Sequence, residues 1–284
     1  MRHLQLPNGP TLSMPVLGLG TWRFGESSAT RAVEIAAVRS AIELGYRLID
    51  TAEMYGEGGA EEVVGAAVHE ALRAGAVTRD ELIIVSKVYP HHASVAGIRA
   101  ACDRSRRRLG LDHIDLYLLH WRGEHPLADT VAGLRAMQEA RHIRRWGVSN
   151  FDVDDMQELA AIGQDCAVDQ VWYSLGQRGP EFSLLPWLRA RAMPLMAYSP
   201  IDQGRAATDP LLESIAAERG VTGAQVALAS VLSQPGVVAI PKATSLEHLR
   251  ENLAAAELVL GDVEARAVDA RFPKPQRKTP LAMN

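Results

Sequence analysis

The sequence predicts an α/β chain folded as a (β/α)8 barrel of the TIM type, preceded by an N-terminal β-hairpin and followed by a short extra helix and tail. Three observations predict it. Eight short apolar runs recur at spacings near ~30 residues, the length of a strand plus its crossover helix. Segments with helical periodicity separate them. Each run also leads to a polar or aromatic residue with useful chemistry, and a parallel barrel gathers its strand ends on one face.

Leu4–Leu6 and Thr11–Ser13 flank Pro7-Asn8-Gly9-Pro10, a hairpin signal ahead of the barrel. The first barrel run, Val16–Leu19, leads to Thr21 and Trp22. Val33, Ala37, Val38, Ala41 and Ile42 then fall at helical spacing, and Gly45 marks the helix end. The second run, Arg47–Ile49, ends on Asp50; the third, Leu82–Val85, precedes Lys87; the fourth, Leu116–Leu119, ends on His120. Trp146–Val148 leads to Ser149 and Asn150, after which Asp152 is set to cap a helix with Val153, Met156, Leu159 and Ala160 on one face. Gln170 lies within Ala167–Val171, Tyr198 and Ser199 follow Leu195–Ala197, and Lys242 follows Val237–Ile240. Leu246, Leu249, Leu253 and Ala256 form a helical stripe, with Thr244 and Glu247 in capping-box register at its start. Asp262 opens the extra helix, and a tail bearing Pro and Lys runs from Phe272 to Asn284. No linker or shift in composition interrupts the chain, so residues 1–284 read as one domain.

With 284 residues, 47% of them apolar, the chain has material for one large core. A net charge of -4 gives no reason to expect nucleic acid or an anionic membrane as partner. No apolar stretch approaches the ~20 residues of a membrane span, and the first residues lack a signal core, so the expected location is the cytoplasm. Cys102 and Cys166 fit no metal or CxxC spacing and read as two reduced thiols. Only four of the 30 basic residues are lysines, and two of those, Lys87 and Lys242, close strand-like runs. Lysine offers a compact charge whose pKa shifts readily on burial, which arginine does not.

Asp50, Lys87 and His120 end three successive strands and so converge on one point of the rim, with Tyr55 on the loop above Asp50. An ammonium beside a phenol favours the phenolate and is expected to lower its pKa. Asp50 would keep that ammonium charged, and His120 would position an oxygen beside the phenol. The four make a proton-delivery site for a carbonyl oxygen. Ser149, Asn150 and Gln170 offer groups that pair a carboxamide, and Tyr198 offers a face for a ring to stack on. Lys242, Thr244 and Ser245 lead into a helix N-terminus, where backbone N–H groups, hydroxyls and an ammonium make an anion site suited to phosphate.

At this point the strings Gly45–Gly56, Val85-Ser86-Lys87, Asp115–His120, Gly147–Phe151, Ala197-Tyr198-Ser199-Pro200 and Ile240-Pro241-Lys242 together resemble the aldo-keto reductases. The resemblance runs through nearly the whole chain and is nearest to short bacterial members of the methylglyoxal-reductase-like type. It implies reduction of aldehydes and ketones by NAD(P)H, with Tyr55 as general acid, Lys87 and Asp50 tuning it and His120 orienting the carbonyl. It further implies that Thr21, Trp22, Asp50, Ser149, Asn150 and Gln170 hold the nicotinamide end, with Tyr198 stacked on the ring. Ser199, Pro200, Ile201, Gln203 and Gly204 would pass along the pyrophosphate. Lys242, Ala243, Thr244, Ser245, His248, Glu251 and Asn252 would surround the adenosine end. Trp22, Met54, Tyr55, Tyr89, His120 and Trp121 would line the substrate pocket. His248 stands where many members carry arginine against the 2′-phosphate, so the resemblance implies NADPH while leaving NADH open. It implies a monomer acting on a small carbonyl substrate, and a short tail suggests an open pocket.

Other motifs carry less. Gly18-Leu19-Gly20 lacks the third glycine of a dinucleotide fingerprint, and Gly56-Glu57-Gly58-Gly59 lacks the Lys-Ser or Lys-Thr of a P-loop. Arg104, Arg106, Arg107 and Arg108 read as the solvated face of a helix. His91-His92 has no partners at metal-ligand spacing, and no metal is expected. Trp172 and Trp187 read as packing residues. Two other functions remain open from the residues: a Schiff-base lyase using Lys87 as amine nucleophile, and a cofactor-sensing module without turnover. Asp50 opposes the first, since a carboxylate keeps a lysine protonated.

Overall fold

The computed structural model describes residues 1–9 and 11–283; Pro10 of the hairpin signal and Asn284 of the tail lie outside the described residues. Strands β1 (His3–Gln5) and β2 (Ser13–Pro15) pair antiparallel, Leu4 opposite Met14, as the hairpin ahead of the barrel. The barrel strands are β3 (Leu19–Gly20), β4 (Leu48–Asp50), β5 (Ile83–Val88), β6 (Ile114–Leu119), β7 (Ile143–Ser149), β8 (Asp169–Trp172), β9 (Leu195–Tyr198) and β10 (Val237–Ala239). All pair in parallel with their neighbours in sequence order. Parallel bridges from Leu17 to Ala239 and from Gly20 to Lys242 close the ring. Closure demands glycine at position 20, because a Cβ there would stand 2.6 Å from the Ile240 carbonyl oxygen.

Helices α1 (Arg31–Leu44), α2 (Gly59–Arg73), α3 (Val95–Leu109), α4 (Leu127–Glu139), α5 (Val153–Ile162) and α6 (Leu184–Arg189) follow β3 to β8 in turn. After β9 come α7 (Pro210–Arg219) and α8 (Gly223–Leu232); after β10, α9 (Leu246–Ala255) and the extra helix α10 (Asp262–Arg271). Asp152 caps α5 as its sequence position indicates, accepting from the Val153 N–H. At α9 the cap lies one residue later than the capping-box register implied: Ser245, not Thr244, accepts from the His248 N–H. Leu246, first residue of the expected stripe, is exposed.

Two apolar layers result from strand pleating. Leu48, Val85, Leu116, Leu118, Val168, Met196, Val238 and Ile240 fill the barrel interior together with Leu6, Leu12 and Met14 of the hairpin region, which plugs one end. Alternate residues such as Ile49, Ile84, Tyr117 and Leu119 pack outward against the helices. The buried Arg145 of β7 reaches down to the hairpin and donates to the Pro7 carbonyl. The arginines of α3 are not a solvated face: Arg104 reaches the buried Glu53 and Arg108 the buried Glu61, while Arg107 alone of the four is exposed. Both cysteines are buried free thiols. No helix among the described residues is long and apolar enough to cross a membrane.

Gly45 ends α1 at φ 104°, with its N–H on the Ala41 and Ile42 carbonyls. A Cβ there would meet nothing within 4 Å, so only the backbone conformation requires glycine. Gly45→Ala should therefore lower unfolding free energy by about 1–2 kcal/mol in urea titrations, with activity per folded molecule unchanged.

Candidate active site

The pleat that fills the interior also aims the polar side chains. Moving two residues onward from an inward apolar or glycine position leads from Leu48 to Asp50, Val85 to Lys87, Leu118 to His120 and Gly147 to Ser149. The same step leads from Val168 to Gln170, Met196 to Tyr198 and Ile240 to Lys242. Each is the next inward residue at the C-terminal end of its strand. Above them lies a cleft of ≈ 670 Å³, lined by Trp22, Met54, Tyr55, His120, Trp121 and Tyr198 among others.

At its floor the Lys87 ammonium is fully buried and donates to Asp50 Oδ2 at 2.7 Å, the Thr51 carbonyl at 2.9 Å and the Tyr55 hydroxyl at 3.2 Å. Gln170 Nε2 donates to the other Asp50 oxygen at 2.8 Å. One hydrogen-bonded network thus joins β4, β5 and β8 beneath the phenol. The His120 ring lies edge-on to Tyr55 with centroids 5.8 Å apart, and its Nδ1 is buried without a hydrogen bond among the described residues.

Electrostatics differ from the expectation in one respect. Burial pushes the Tyr55 phenol well above its ordinary 10.0, and the Asp50 charge raises it further. The Lys87 ammonium beside it favours the phenolate, but with Asp50 seated against that ammonium the effect of burial wins. Tyr55 is thus held as an acid. Burial also lowers the Lys87 ammonium against the opposing pull of Asp50, and raises Asp50 against that of Lys87. His120 falls well below its ordinary 6.5 through burial first and the Lys87 charge second, which keeps its imidazole neutral.

On the far side of the cleft, Asn150 Nδ2 donates to the His120 carbonyl at 3.0 Å and to Ser149 Oγ at 3.2 Å; its Oδ1 accepts from the Tyr198 hydroxyl at 2.8 Å. Ser199, Pro200, Ile201, Gln203 and Gly204 form the rim beyond Tyr198. Four non-glycine residues with left-handed backbones line this cleft: Arg23, Asn150, Ser199 and Gln203. Such strain concentrates at functional loops. Buried Asp202 anchors the rim loop, accepting from Ser174 Oγ at 2.5 Å and the Gly176 N–H at 3.0 Å. Trp172 donates to the same carboxylate.

Lys242 lines the cleft and makes no ion pair among the described residues; its ammonium lies 5.2 Å from the Phe24 ring centre. Thr244, Ser245 and His248 continue from it along the start of α9, outside the cleft lining. Ala243 is packed into the core, Glu251 is half-buried and Asn252 is buried against Tyr46. Thr21 is buried with its hydroxyl committed to the Asp50 carbonyl, and Tyr89 stands behind Trp121 rather than on the cleft wall. Among the described residues no His, Cys, Asp and Glu grouping could hold a metal.

Five lining residues, Gly20, Arg23, Ile240, Pro241 and Met283, were not among the expected site residues. Arg23 carries a positive φ beside Trp22, and Met283 arrives from the tail. The tail, although short, reaches the cleft. Lys278 bonds Asp154 at 2.6 Å, Leu281 packs on the core and Met283 supplies part of the wall. Tail composition alone gave no signal of that return path.

Residues 16–271 match the model of the Aldo/keto reductase family. The methylglyoxal reductase YeaE of Escherichia coli (strain K12) is 46% identical over 279 residues, covering 96% of each chain. The glyoxal reductase of Bacillus subtilis (strain 168) is 34% identical over 94% of this chain and 91% of its own. A crystal structure of an aldo-keto reductase from Klebsiella pneumoniae in complex with NADPH superposes with a TM-score of 0.92, at 46% identity and full coverage of both chains.

A neutral native His120 has a consequence for stability. Below about pH 6.5 the unfolded imidazole takes up a proton that the folded one does not, so acidification favours unfolding. Between pH 7.5 and 5.5 this single group should remove about 1.4 kcal/mol of stability. Urea titrations at both pH values should show that loss diminished by the same amount in His120→Asn; equal losses in both proteins would mean the imidazole titrates alike folded and unfolded.

Proposed function

The chain belongs to the aldo/keto reductase family, and we propose that it reduces small uncharged aldehydes, 2-oxoaldehydes such as methylglyoxal among them, with Tyr55 as proton donor. The enzyme is an oxidoreductase that reduces carbonyl compounds with NADPH. The observation that carries the assignment of Tyr55 is the phenol above the buried ammonium, 3.2 Å away, at the floor of the cleft.

The donor set fits the cofactor. An exposed ammonium at Lys242 with no ion pair, followed by the Ser245-capped N-terminus of α9, suits a phosphate group. Ser149, Asn150 and Gln170 would hold the carboxamide and Tyr198 would stack on the nicotinamide. Ser199, Pro200, Ile201, Gln203 and Gly204 would follow the pyrophosphate, and Lys242, Thr244, Ser245, His248, Glu251 and Asn252 the adenosine end. NADPH, when bound, supplies the hydride.

The chain's own residues handle the oxygen and its proton. Neutral His120 donates a hydrogen bond to the carbonyl oxygen and orients it towards the Tyr55 hydroxyl. As negative charge grows on that oxygen, Tyr55 releases its proton to it, and the nearby Lys87 ammonium stabilises the phenolate left behind. Asp50 holds Lys87 in place, its two oxygens taken up by Lys87 and Gln170. Trp22, Met54 and Trp121 give the substrate apolar and aromatic walls, which favour uncharged carbonyl compounds over carboxylates.

The lyase reading fails on the same geometry. All three Lys87 N–H bonds are engaged, and the side chain is fully buried, so no carbonyl carbon has access to the amine. The sensing reading is decided by turnover.

Tyr55→Phe should lower methylglyoxal reduction by about 10²- to 10⁴-fold in initial rates while NADPH binding, followed by fluorescence, is retained. A fully active variant would remove Tyr55 from its role. Because the phenol stays protonated past neutrality, wild-type reduction should run flat from about pH 6 to 9, whereas alcohol oxidation, which needs phenolate, should rise over that range. His248→Arg should tighten NADPH in fluorescence titrations and leave NADH unchanged; equal tightening of both would place the residue away from the 2′-phosphate.

A further inference from the structure

The segment that carries Tyr55 is sewn to the segment that carries Lys87 by three carboxylates at every fourth position. Glu53 Oε1 accepts from the Tyr89 N–H at 2.7 Å and contacts His92 Nδ1 at 3.0 Å. Glu57 Oε1 accepts from the Tyr89 hydroxyl at 3.0 Å. Glu61 Oε1 accepts from Ser86 Oγ, one residue before Lys87, at 2.6 Å. Glu57 is exposed and its bond is screened by water, but Glu53 and Glu61 are buried.

Each buried glutamate meets an arginine of α3 on its other oxygen. Arg104 Nη2 lies 3.3 Å from Glu53 Oε2 and Arg108 Nη1 lies 3.1 Å from Glu61 Oε2. The two arginines are one helical turn apart, so one face of α3 serves both. A buried acid left without such a partner would be strongly destabilising. The pairing therefore fixes where each carboxylate stands, and each carboxylate then fixes the β5 end against the 53–61 segment. Glu53 lies two residues before Tyr55, and its own N–H donates to the Lys87 carbonyl at 3.3 Å.

We infer that Glu53 and Glu61, braced by Arg104 and Arg108, are positioning residues that hold the Tyr55 hydroxyl over the Lys87 ammonium. None of the four lines the cleft. They act through Tyr55 and Lys87, and the inference rests on the proposal that Tyr55 delivers the proton. Glu61 has a second influence, since its charge favours the protonated form of Lys87 as Asp50 does. The arrangement explains why two arginines on α3 sit four apart with their guanidinium groups on buried carboxylates.

The test is single-turnover reduction of methylglyoxal by enzyme preloaded with NADPH, in H₂O and D₂O. Glu53→Ala should slow the step about tenfold, with NADPH affinity unchanged and a larger solvent isotope effect, since a displaced phenol makes proton transfer limiting. Glu53→Gln retains an acceptor for the Tyr89 N–H and should recover most of the rate. The same order should hold for Glu61→Ala and Glu61→Gln. If Glu53→Ala does not fold, Arg104→Lys keeps a cation for Glu53 while loosening the brace, and should give about a threefold loss with the same rise in isotope effect. Wild-type rates and isotope effects in folded variants, even with a lowered Tm, would overturn the inference and leave the four as scaffold. A wild type that binds NADPH yet reduces no carbonyl would overturn the functional reading, and this inference with it.

Discussion

Strand pleating in a closed barrel is the constraint from which the site follows. Side chains alternate between the interior and the helix layer, so a strand that places an apolar residue inside places its next inward residue two positions on. At the C-terminal end of each strand that next residue is no longer under the core and faces the cleft. Leu48 therefore sets Asp50, Val85 sets Lys87, Leu118 sets His120 and Val168 sets Gln170. A one-residue slip in any strand would bury the functional group among helices and send an outer residue such as Ile49 into the cleft.

That placement forces an ion pair into a dry environment. Two charges removed from water carry a desolvation penalty of several kcal/mol each, which their mutual attraction offsets only when the remaining hydrogen-bonding groups are also satisfied. Here they are. Lys87 has three acceptors, and Asp50 divides its oxygens between Lys87 and Gln170. Seen from Tyr55, Asp50 offsets much of the ammonium, and burial dominates the phenol. Charge on the phenol arises only when a proton has somewhere to go.

The sequence disclosed the strands and the inward polar residues because both are written in short-range periodicity. It also disclosed helix ends where one residue type answers the local geometry, as Gly45 and Asp152 do. What it concealed depended on distance. Arg104 and Arg108 looked solvated because their partners, Glu53 and Glu61, lie about fifty residues earlier in the chain. The phenol's pKa depended on how Asp50 and Lys87 share a buried space, which spacing does not encode. Met283 comes to the cleft through a tail held by Lys278 on Asp154 and by Leu281 on the core, contacts with no periodic signature. The cap of α9 moved from Thr244 to Ser245 because two adjacent hydroxyl residues compete for one role.

The ring is closed by contacts between residues more than two hundred positions apart, Leu17 with Ala239 and Gly20 with Lys242. Such a join waits on the synthesis of β10. Until β10 docks, β3 and β9 are raw edges with unpaired backbone groups, open to pairing with other chains. A ribosome that stalls before residue 237 would release a sheet without its seam, a hazard for the quality-control machinery rather than a slow enzyme.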